Sequence, residues 1–328
     1  MESTSDIIIL DEIHKYKKWK TLVKGFYDKF KDDRDITVTG SSRLDIYRRG
    51  GDSLQGRYHY YRLHPFTLAE VLGRKNNLIP STAINFESTK ESWKILNNLL
   101  KYGGFPEPFI AQDEKTARRW QNERIERMFR EDIRDVEIIR DLGSMEILGS
   151  LLPEKASGLL SINSLREDLE VSHKAVTNWI NLLEKFYYHF RIYPFSGKKI
   201  RSLKKESKIY LWDWSEIKNL GKLFENLVAS HLLKLVHYLH DAEGYNIDLY
   251  FLRDTDGREV DFLITIGQKP WFAVEVKTQE KNIAKNLLYF AERLKIPYLY
   301  QVILEKNIDK RIGNIRLISA DKFLSGLV

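Results

Sequence analysis

Two apolar runs decide the fold of the C-terminal third of this sequence: Glu-Val-Asp-Phe-Leu-Ile at residues 259–264 and Phe-Ala-Val-Glu-Val-Lys at residues 272–277. Both are rich in β-branched and aromatic residues, and a Gly- and Pro-containing turn separates them, so they predict a β-hairpin. Because side chains alternate along a strand, Glu275 and Lys277 share one face, while Asp261 lies on the partner strand. Two carboxylates and an ammonium at one end of a sheet are typical of a magnesium-dependent phosphodiesterase. The carboxylates hold a hard cation, and the lysine orients or activates a water against a phosphate.

The residues around this hairpin predict an α–β–β–β–α–β module. Its elements are a helix at residues 222–236, strands at 248–253, 259–266 and 271–277, a helix at 282–294 and a last strand at 297–304. The first helix carries Glu225 near its start, followed by an apolar stripe that faces a core. Glu259 and its neighbour Asp256 read as turn acids.

The order of these elements resembles the PD-(D/E)XK nuclease fold. Asp261 takes the place of that fold's Asp, Glu275 and Lys277 take the places of its Glu-x-Lys, and Glu225 matches the acidic residue of its first helix. The resemblance implies that these four residues are catalytic and that Asp261 and Glu275 hold the metal. Hard oxygen ligands favour Mg²⁺ or Mn²⁺. The alternative interpretation is that Glu-Val-Lys occurs by chance in an exposed strand and has no catalytic role.

The composition sets limits on the class of protein. The chain has 328 residues, an apolar content of 43% and a net charge of +7. This length allows two or three domains, and the mild basic excess permits a nucleic-acid partner without requiring one. The lack of Cys excludes disulfides and thiolate metal sites and fits a reducing cytoplasm, where we expect the protein. No signal-peptide pattern and no run near the roughly 20 apolar residues that span a bilayer are present, so no membrane partner is expected.

The start of the chain carries a nucleotide-hydrolysis pattern. Residues 6–12 read Asp-Ile-Ile-Ile-Leu-Asp-Glu, which predicts a buried parallel strand ending in two acids, the Walker B pattern. Asp11 would then hold magnesium through water, and Glu12 would polarise the attacking water. A helix at residues 19–30 leads to a second strand with a Gly-Ser-Ser end, where Ser41 could touch the γ-phosphate or the water.

Further motifs extend this pattern: Ser-Leu-Gln-Gly-Arg ending at Arg57, an aromatic strand near residues 58–63, and His-Pro-Phe-Thr-Leu-Ala-Glu at residues 64–70. The order of these pieces resembles a bacterial and archaeal family of AAA-type ATPases that ends in a PD-(D/E)XK nuclease-like domain. The resemblance covers nearly the whole chain, and its motifs are specific in their order and spacing. Relatives of the AAA type often act as oligomers, and Arg57 resembles a residue that could reach a neighbour's nucleotide, so a homo-oligomer is a candidate assembly.

The P-loop motif Gly-x-x-x-x-Gly-Lys-Ser/Thr is missing from this sequence. In the resembling family it lies upstream of Walker B, so the sequence predicts an ATPase core that is truncated or split. ATP is then expected as a cofactor only where upstream sequence supplies a P-loop, and a separate N-terminal ATPase fragment is a candidate partner. The alternative for Asp11 and Glu12 is a retained, inactive strand end. Loss of the P-loop strand would leave exposed apolar strand edges.

Residues 65–150 are helical in pattern. An amphipathic helix at 93–102 stops at Gly-Gly, residues 105–108 predict a turn, and residues 115–142 predict one long charged helix or a pair of helices. The mixed charges of the last segment favour a salt-bridged solvated face over a nucleic-acid groove. The resemblance assigns this region to a helical lid.

Residues 159–213 predict a winged helix-turn-helix, with a short helix at 165–169 and a recognition helix at 173–186. Aromatic strands at 186–193 and 208–214 flank a basic loop. The candidates for DNA contact on the helix and the loop are His173, Lys174, Thr177, Asn178, Lys198, Lys199, Arg201, Lys204 and Lys205. Such a surface suits phosphates, but a winged helix used for protein docking or as a spacer explains the same pattern.

The sequence as a whole predicts an α/β multidomain protein. The expected domains are a truncated AAA-type core at residues 1–64, a helical lid at 65–155, the winged helix at 156–215 and the PD-(D/E)XK-like module at 216–328. The expected function is metal-dependent nuclease action on DNA, without ATP hydrolysis by this chain alone. The alternative is a non-catalytic DNA- or protein-binding switch with degenerate ATPase and nuclease-like folds. A third reading, an inert fragment, predicts poor solubility.

Overall fold

The computed structural model describes residues 6–16, 18–40, 54, 56–134, 141–197, 206–280 and 282–328. Within these ranges the architecture is mixed α/β, with a two-stranded sheet near the start, a helical region and a large mixed sheet. No helix in the described part of the chain combines the length and the apolar character needed to cross a membrane.

The small sheet contains two parallel strands, β1 (Ile7–Leu10) and β2 (Asp35–Val38), connected through helix α1 (Trp19–Phe30). The prediction that β1 is buried is wrong, because Ile7 is 52% exposed and Ile9 is 65% exposed. The other two residues of β1 are only half-buried, so within the described chain neither face of the strand is fully covered.

Helices occupy most of the chain between residues 68 and 185. They are α2 (Leu68–Val71), α3 (Ser92–Tyr102), α4 (Pro106–Ala111), α5 (Glu114–Arg127), α6 (Leu142–Lys155), α7 (Ile162–Asp168) and α8 (His173–Lys185). Side-chain caps fix several of their starts. Ser161 accepts from the N–H of Ser164 at 3.2 Å, and Ser172 accepts from the N–H of Ala175 at 3.1 Å.

Two local predictions in this region are wrong. Residues 58–63 form no strand and lie in an irregular segment. The turn predicted at residues 105–108 is instead the start of α4. Pro106 occupies the first helical position, where the N–H group that proline lacks is not needed. The predicted salt-bridged face is present on α5, where Arg119 lies 3.6 Å from Glu123.

The large sheet has the strand order β4-β3-β5-β6-β7-β8-β10-β9. Its strands are β3 (His189–Pro194), β4 (Lys208–Leu211), β5 (Ile247–Arg253), β6 (Glu259–Ile266), β7 (Lys269–Lys277), β8 (Tyr298–Ile303), β9 (Asp309–Ile312) and β10 (Ile315–Ser319). Strands β5, β6 and β7 are antiparallel neighbours, whereas β7, β8 and β10 run parallel. The predicted hairpin is therefore formed.

The prediction that residues 297–304 form the last strand is wrong, since β9 and β10 follow. Strand β9 reads Asp-Lys-Arg-Ile, and all four of its residues are exposed. Charged residues of this kind are typical of an edge strand, where they oppose pairing with another chain. They also remove the apolar alternation by which a strand is recognised in a sequence.

The strands predicted to flank the wing are part of the large sheet. Tyr193 of β3 pairs in parallel with Tyr250 of β5, and β4 pairs antiparallel with β3. The expected boundary between residues 215 and 216 therefore lies between elements of one continuous sheet.

Helices cover both faces of this sheet. Helix α9 (Leu220–Asp241) packs its apolar residues with Phe262 and Phe272 on one face. Helix α10 (Lys285–Leu294) packs with Leu263 and Ala273 on the other face. A short helix, α11 (Ala320–Ser325), follows β10. The two layers keep water from the central strands, and this makes the polar groups among those strands chemically distinctive.

Residues 66–92 run across the C-terminal module and bond to its interior. The backbone N–H of Leu68 donates to Nε2 of the buried His231 at 3.0 Å. The indole Nε1 of Trp271, in β7, donates to the carbonyl oxygen of Thr82 at 2.7 Å. This segment is therefore built into the same body as the large sheet.

Candidate active site

A β-bulge in β6 shapes the site. Asp261 and Phe262 of β6 lie opposite a single residue of β5, Phe251. A bulge of this kind interrupts strict alternation and re-aims a side chain. Val260 and Leu263 accordingly belong to one core cluster, although alternation would place residues three apart on opposite faces. The direction of Asp261 is therefore set by the bulge.

Asp261, Glu275 and Lys277 come together where β6 and β7 pair. The backbone N–H of Val276 donates to Oδ2 of Asp261 at 2.8 Å. The ammonium of Lys277 donates to Oε1 of Glu275 at 2.7 Å. The side chain of Glu275 is 9% exposed and that of Lys277 is 47% exposed. The carboxylate is therefore shielded from water, while the lysine reaches the surface.

Glu225, in the first turns of α9, is connected to this group by Lys208 of β4. Its Oε1 accepts from the hydroxyl of Tyr210 at 2.9 Å and from Nζ of Lys208 at 3.1 Å. The same Nζ lies 2.6 Å from Oε1 of Glu259 and 3.7 Å from Oδ1 of Asp261. The structure thus brings together the four residues singled out in the sequence and adds Lys208, Tyr210 and Glu259.

Burial changes the acidity of these groups. Burial and the nearby charge of Asp261 raise the pKa of Glu225 to about 8, although Lys208 and Tyr210 oppose the shift. Burial and Asp261 likewise raise the pKa of Glu275 to about 7, against the effect of Lys277. Burial alone would lower the pKa of Lys208, but the surrounding carboxylates outweigh it and raise that pKa. Carboxyl groups that titrate near neutral pH are characteristic of sites that move protons or bind cations.

Sequence reasoning missed Lys208 and took Glu259 for a turn acid. Glu259 is the first residue of β6 and also binds Arg253 at 2.8 Å. Lys208 opens β4, whose four residues are all buried, and no sequence spacing links it to Asp261. One signal was present: a lysine directly before Ile-Tyr-Leu-Trp has to find anionic partners if that strand is internal.

Asp261 and Glu275 have the chemistry that a hard divalent cation requires. Oε2 of Glu275 is buried and has no hydrogen-bond partner among the described residues, a state that a cation would relieve. Magnesium commonly binds through one or two carboxylates and keeps several waters, so the pair fits. Across the described ranges no group of three or more His, Cys, Asp or Glu side chains has a metal-binding arrangement, and the fit therefore rests on this pair.

The residues predicted to contact DNA fall into two groups. On α8, His173, Lys174 and Asn178 are exposed, and Thr177 is half-buried with its hydroxyl donating to the carbonyl of His173 at 2.8 Å. The predicted loop residues lie outside the described ranges; they are Lys198, Lys199, Arg201, Lys204 and Lys205. The described part of this surface is thus one helix face.

The predicted Walker B acids directly follow β1. The carboxylate of Asp11 accepts a hydrogen bond from the hydroxyl of Thr39, just beyond β2. Glu12 has a left-handed backbone conformation, with φ of 50°, and pairs with Lys15 at 3.2 Å.

The two other predicted nucleotide contacts are placed differently. Ser41 lies outside the described residues. Nε of Arg57 lies 3.3 Å from Oδ1 of Asp28 in α1. In this arrangement Arg57 contacts its own chain.

Comparison with known protein families divides the chain into three stretches. A family described as an AAA domain matches residues 1–72. A domain of unknown function, DUF8612, matches residues 94–226, and another, DUF4143, matches residues 220–323. The chain thus has an AAA-domain segment at its N-terminal end and a DUF4143 segment at its C-terminal end. This combination is consistent with an AAA-type ATPase family.

Two archaeal proteins from Methanocaldococcus jannaschii are similar to most of the chain. Uncharacterized protein MJ1544 is 27% identical over 302 residues, which cover 88% of this chain and 65% of that protein. Uncharacterized protein MJ1637 is 25% identical over 325 residues, which cover 88% of this chain and 64% of that protein. The chain therefore spans just under two thirds of the length of these relatives. No solved structure matches it significantly.

Proposed function

We propose that the C-terminal module is a divalent-cation-dependent phosphodiesterase that acts on DNA and is attached to an AAA-domain segment. The observation that carries the proposal is the orphaned, buried Oε2 of Glu275 beside Asp261, at a point where Glu225 and Lys277 also converge. Two carboxylates, a proton-holding acid and a half-exposed ammonium are the groups that metal-assisted phosphodiester hydrolysis needs.

Each residue has a task that follows from its setting. Asp261 and Glu275 would hold Mg²⁺ or Mn²⁺, which polarises a phosphate oxygen and makes a bound water more acidic. Lys277 is bonded to Glu275 and reaches the surface, so it can orient or activate a water against the phosphate. Glu225, with its pKa raised to about 8, can hold a proton at neutral pH.

DNA would reach this site along the face of α8. His173, Lys174 and Asn178 are exposed there, and the basic loop between β3 and β4 belongs to the same expected surface. Phosphate contacts of this kind position the nucleic acid without reading its sequence. Binding by this surface should therefore weaken steeply as the salt concentration rises. The dependence of ATP use on a P-loop supplied by upstream sequence, homo-oligomerisation and a cytoplasmic location remain expectations from the sequence.

A cleavage assay tests the proposal. The chelator-treated protein is titrated with Mg²⁺ or Mn²⁺ and incubated with supercoiled plasmid DNA, and nicked circles are measured. We expect ion-dependent nicking that is lost in Asp261→Asn. The matched control is Asp256→Asn, because Asp256 is an acid of the preceding turn with a 63% exposed side chain. Cleavage that persists in both Asp261→Asn and Lys277→Met would rule out the assignment.

A second candidate is a switch that binds DNA or a protein partner without cutting. It is favoured by the ammonium of Lys208, which already lies within 4 Å of three carboxylates of the site. Salt-dependent DNA binding with no cleavage under any divalent ion, and with the same affinity in Asp261→Asn, would favour this candidate over the first.

A further inference from the structure

The ammonium of Lys208 lies among three carboxylates that reach it from helix α9 and strand β6. The distances from its Nζ are 2.6 Å to Glu259, 3.1 Å to Glu225 and 3.7 Å to Asp261. Lys208 itself is on β4, which β3 and β5 separate from β6 in the sheet. The contact therefore joins the edge of the sheet, its interior and the covering helix.

This cluster is largely removed from water. The side chain of Lys208 is 4% exposed, and those of Asp261, Glu225 and Glu259 are 14%, 18% and 24% exposed. Carboxylates held this close repel one another strongly where the dielectric constant is low. A buried cation among them removes that repulsion, and its loss would leave uncompensated charge.

The ammonium lies at the point on which these three carboxylates converge. A divalent ion and an ammonium cannot share one point, because they repel each other. Glu275 is different, because its Oε1 binds Lys277 and its buried Oε2 is left without a partner among the described residues. The site thus already holds a cation at one end, the ammonium of Lys208, while at the other end the buried Oε2 of Glu275 is left for an added cation.

We propose that Lys208 is the resident cation of the Glu225–Glu259–Asp261 cluster and that it limits the site to one divalent cation, held by Asp261 and Glu275. Lys208 is a positioning residue in this role, since it fixes the carboxylates rather than touching the phosphate. The inference rests on the proposed function for the ion at Asp261 and Glu275, but the role of Lys208 can be tested separately from cleavage.

Counting bound ions tests the proposal. Free and bound Mn²⁺ are measured by electron paramagnetic resonance on the full chain for the wild type and for Lys208→Met, which keeps the bulk of the side chain and removes its charge. We expect one Mn²⁺ per chain in the wild type and two in Lys208→Met. Lys208→Arg should return the count to one. Lys269→Met, an exposed lysine at the start of β7, is the matched control and should also bind one ion.

A thermal melt provides a second measurement. Without Mn²⁺, Lys208→Met should melt below the wild type, and Mn²⁺ should raise its melting temperature by more than it raises that of the wild type. If Lys208→Met does not fold, the double variant Lys208→Met/Glu259→Gln, which removes one charge of each sign, takes its place in the count. Failure of both variants to fold in the presence of Mn²⁺ would overturn the proposal, because an inorganic ion should then replace the ammonium.

The ion count separates this proposal from the proposed function. An equal count in the wild type and Lys208→Met overturns the role of Lys208 and leaves the ion at Glu275 in place. No ion in the wild type but one in Lys208→Met upholds the role of Lys208 and removes the basis for metal-dependent cleavage.

Discussion

At the end of β1, Asp11 and Glu12 follow four apolar residues, and in β6 Glu259 and Asp261 border an apolar run of similar composition. The two runs differ in what surrounds them. Strand β1 has one neighbour in a two-stranded sheet, and its Ile9 is 65% exposed. Strand β6 lies inside an eight-stranded sheet with helices packed on both faces.

This comparison indicates that acidic residues at the end of a strand form a chemically active site only when other elements enclose them. The carboxylate of Asp11 accepts a hydrogen bond from Thr39, just beyond the neighbouring strand β2. Asp261 meets groups from β4 and β7, and burial raises the pKa of Glu275 beside it to about 7. Local sequence supplies the acids in both places, but only the second place has the low dielectric that makes their chemistry unusual.

The largest expected effect concerns catalysis. Lys277→Met should lower ion-dependent DNA cleavage by about 10²- to 10⁴-fold, the range for loss of a general acid or base. Glu12→Gln should leave the cleavage rate unchanged, because Glu12 is not part of the enclosed site. Plasmid nicking measured over time checks both, with Lys269→Met as the control. Equal losses in Lys277→Met and Glu12→Gln would contradict the comparison.

The next effect concerns stability. Phe262→Ala should lower the free energy of unfolding by about 3–5 kcal/mol, because Phe262 is completely buried under α9. Ile9→Ala should change it by less than about 1 kcal/mol, since the side chain is already in water. Urea unfolding followed by circular dichroism measures both. A similar loss in the two variants would mean that β1 is as well packed as β6.

A third effect is a pH dependence of the metal-free protein. The pKa of Glu275 is raised from 4.5 to about 7 and that of Glu225 from 4.5 to about 8. The folded state then binds these protons more tightly than the unfolded state, so stability should fall as the pH rises from about 4.5 to about 8. The decrease should be at most about 1.4 kcal/mol per pH unit for each group. Melting temperatures at several pH values check this.

Two variants test the source of that slope. Glu225→Gln and Glu275→Gln should each flatten the fall in stability within its own window, because neither glutamine titrates. Ile9→Ala, which changes an exposed side chain and no titratable group, is a control that should keep the wild-type slope. A slope that is unchanged in both glutamine variants would mean that other groups carry the pH dependence.

The smallest effect is expected at the open strand end. Asp11→Ala should shift the free energy of unfolding by no more than about 0.5 kcal/mol, because its hydrogen bond to Thr39 is exposed. Asp261→Ala should shift it by more, since the N–H of Val276 loses its acceptor. The midpoints of urea unfolding provide the comparison, and a larger shift for Asp11→Ala would reverse it.

Many of the helices and strands around the site could be predicted, because they depend on local sequence patterns. The β-branched and aromatic composition of residues 259–266 and 271–277, with the turn between them, predicts the hairpin, and the apolar stripe after Glu225 predicts α9. The role of Lys208 could not be predicted, because it depends on β4 becoming a member of the same sheet through β3. The bulge at Asp261 arises from pairing with β5 and has no signature in either strand alone.

The bonds from residues 60–92 to the C-terminal module define a fragment of this protein suited to expression on its own. A fragment cut at residue 216 would leave His231 and Trp271 without the partners they find in Leu68 and Thr82, and would also remove the strand of Lys208. A fragment that begins at Tyr60 keeps all of these contacts, retains the ion pair of Arg62 with Asp241 at 2.6 Å and omits strands β1 and β2. Expression of residues 60–328 is therefore the natural starting point for crystals and for solution spectroscopy of the site.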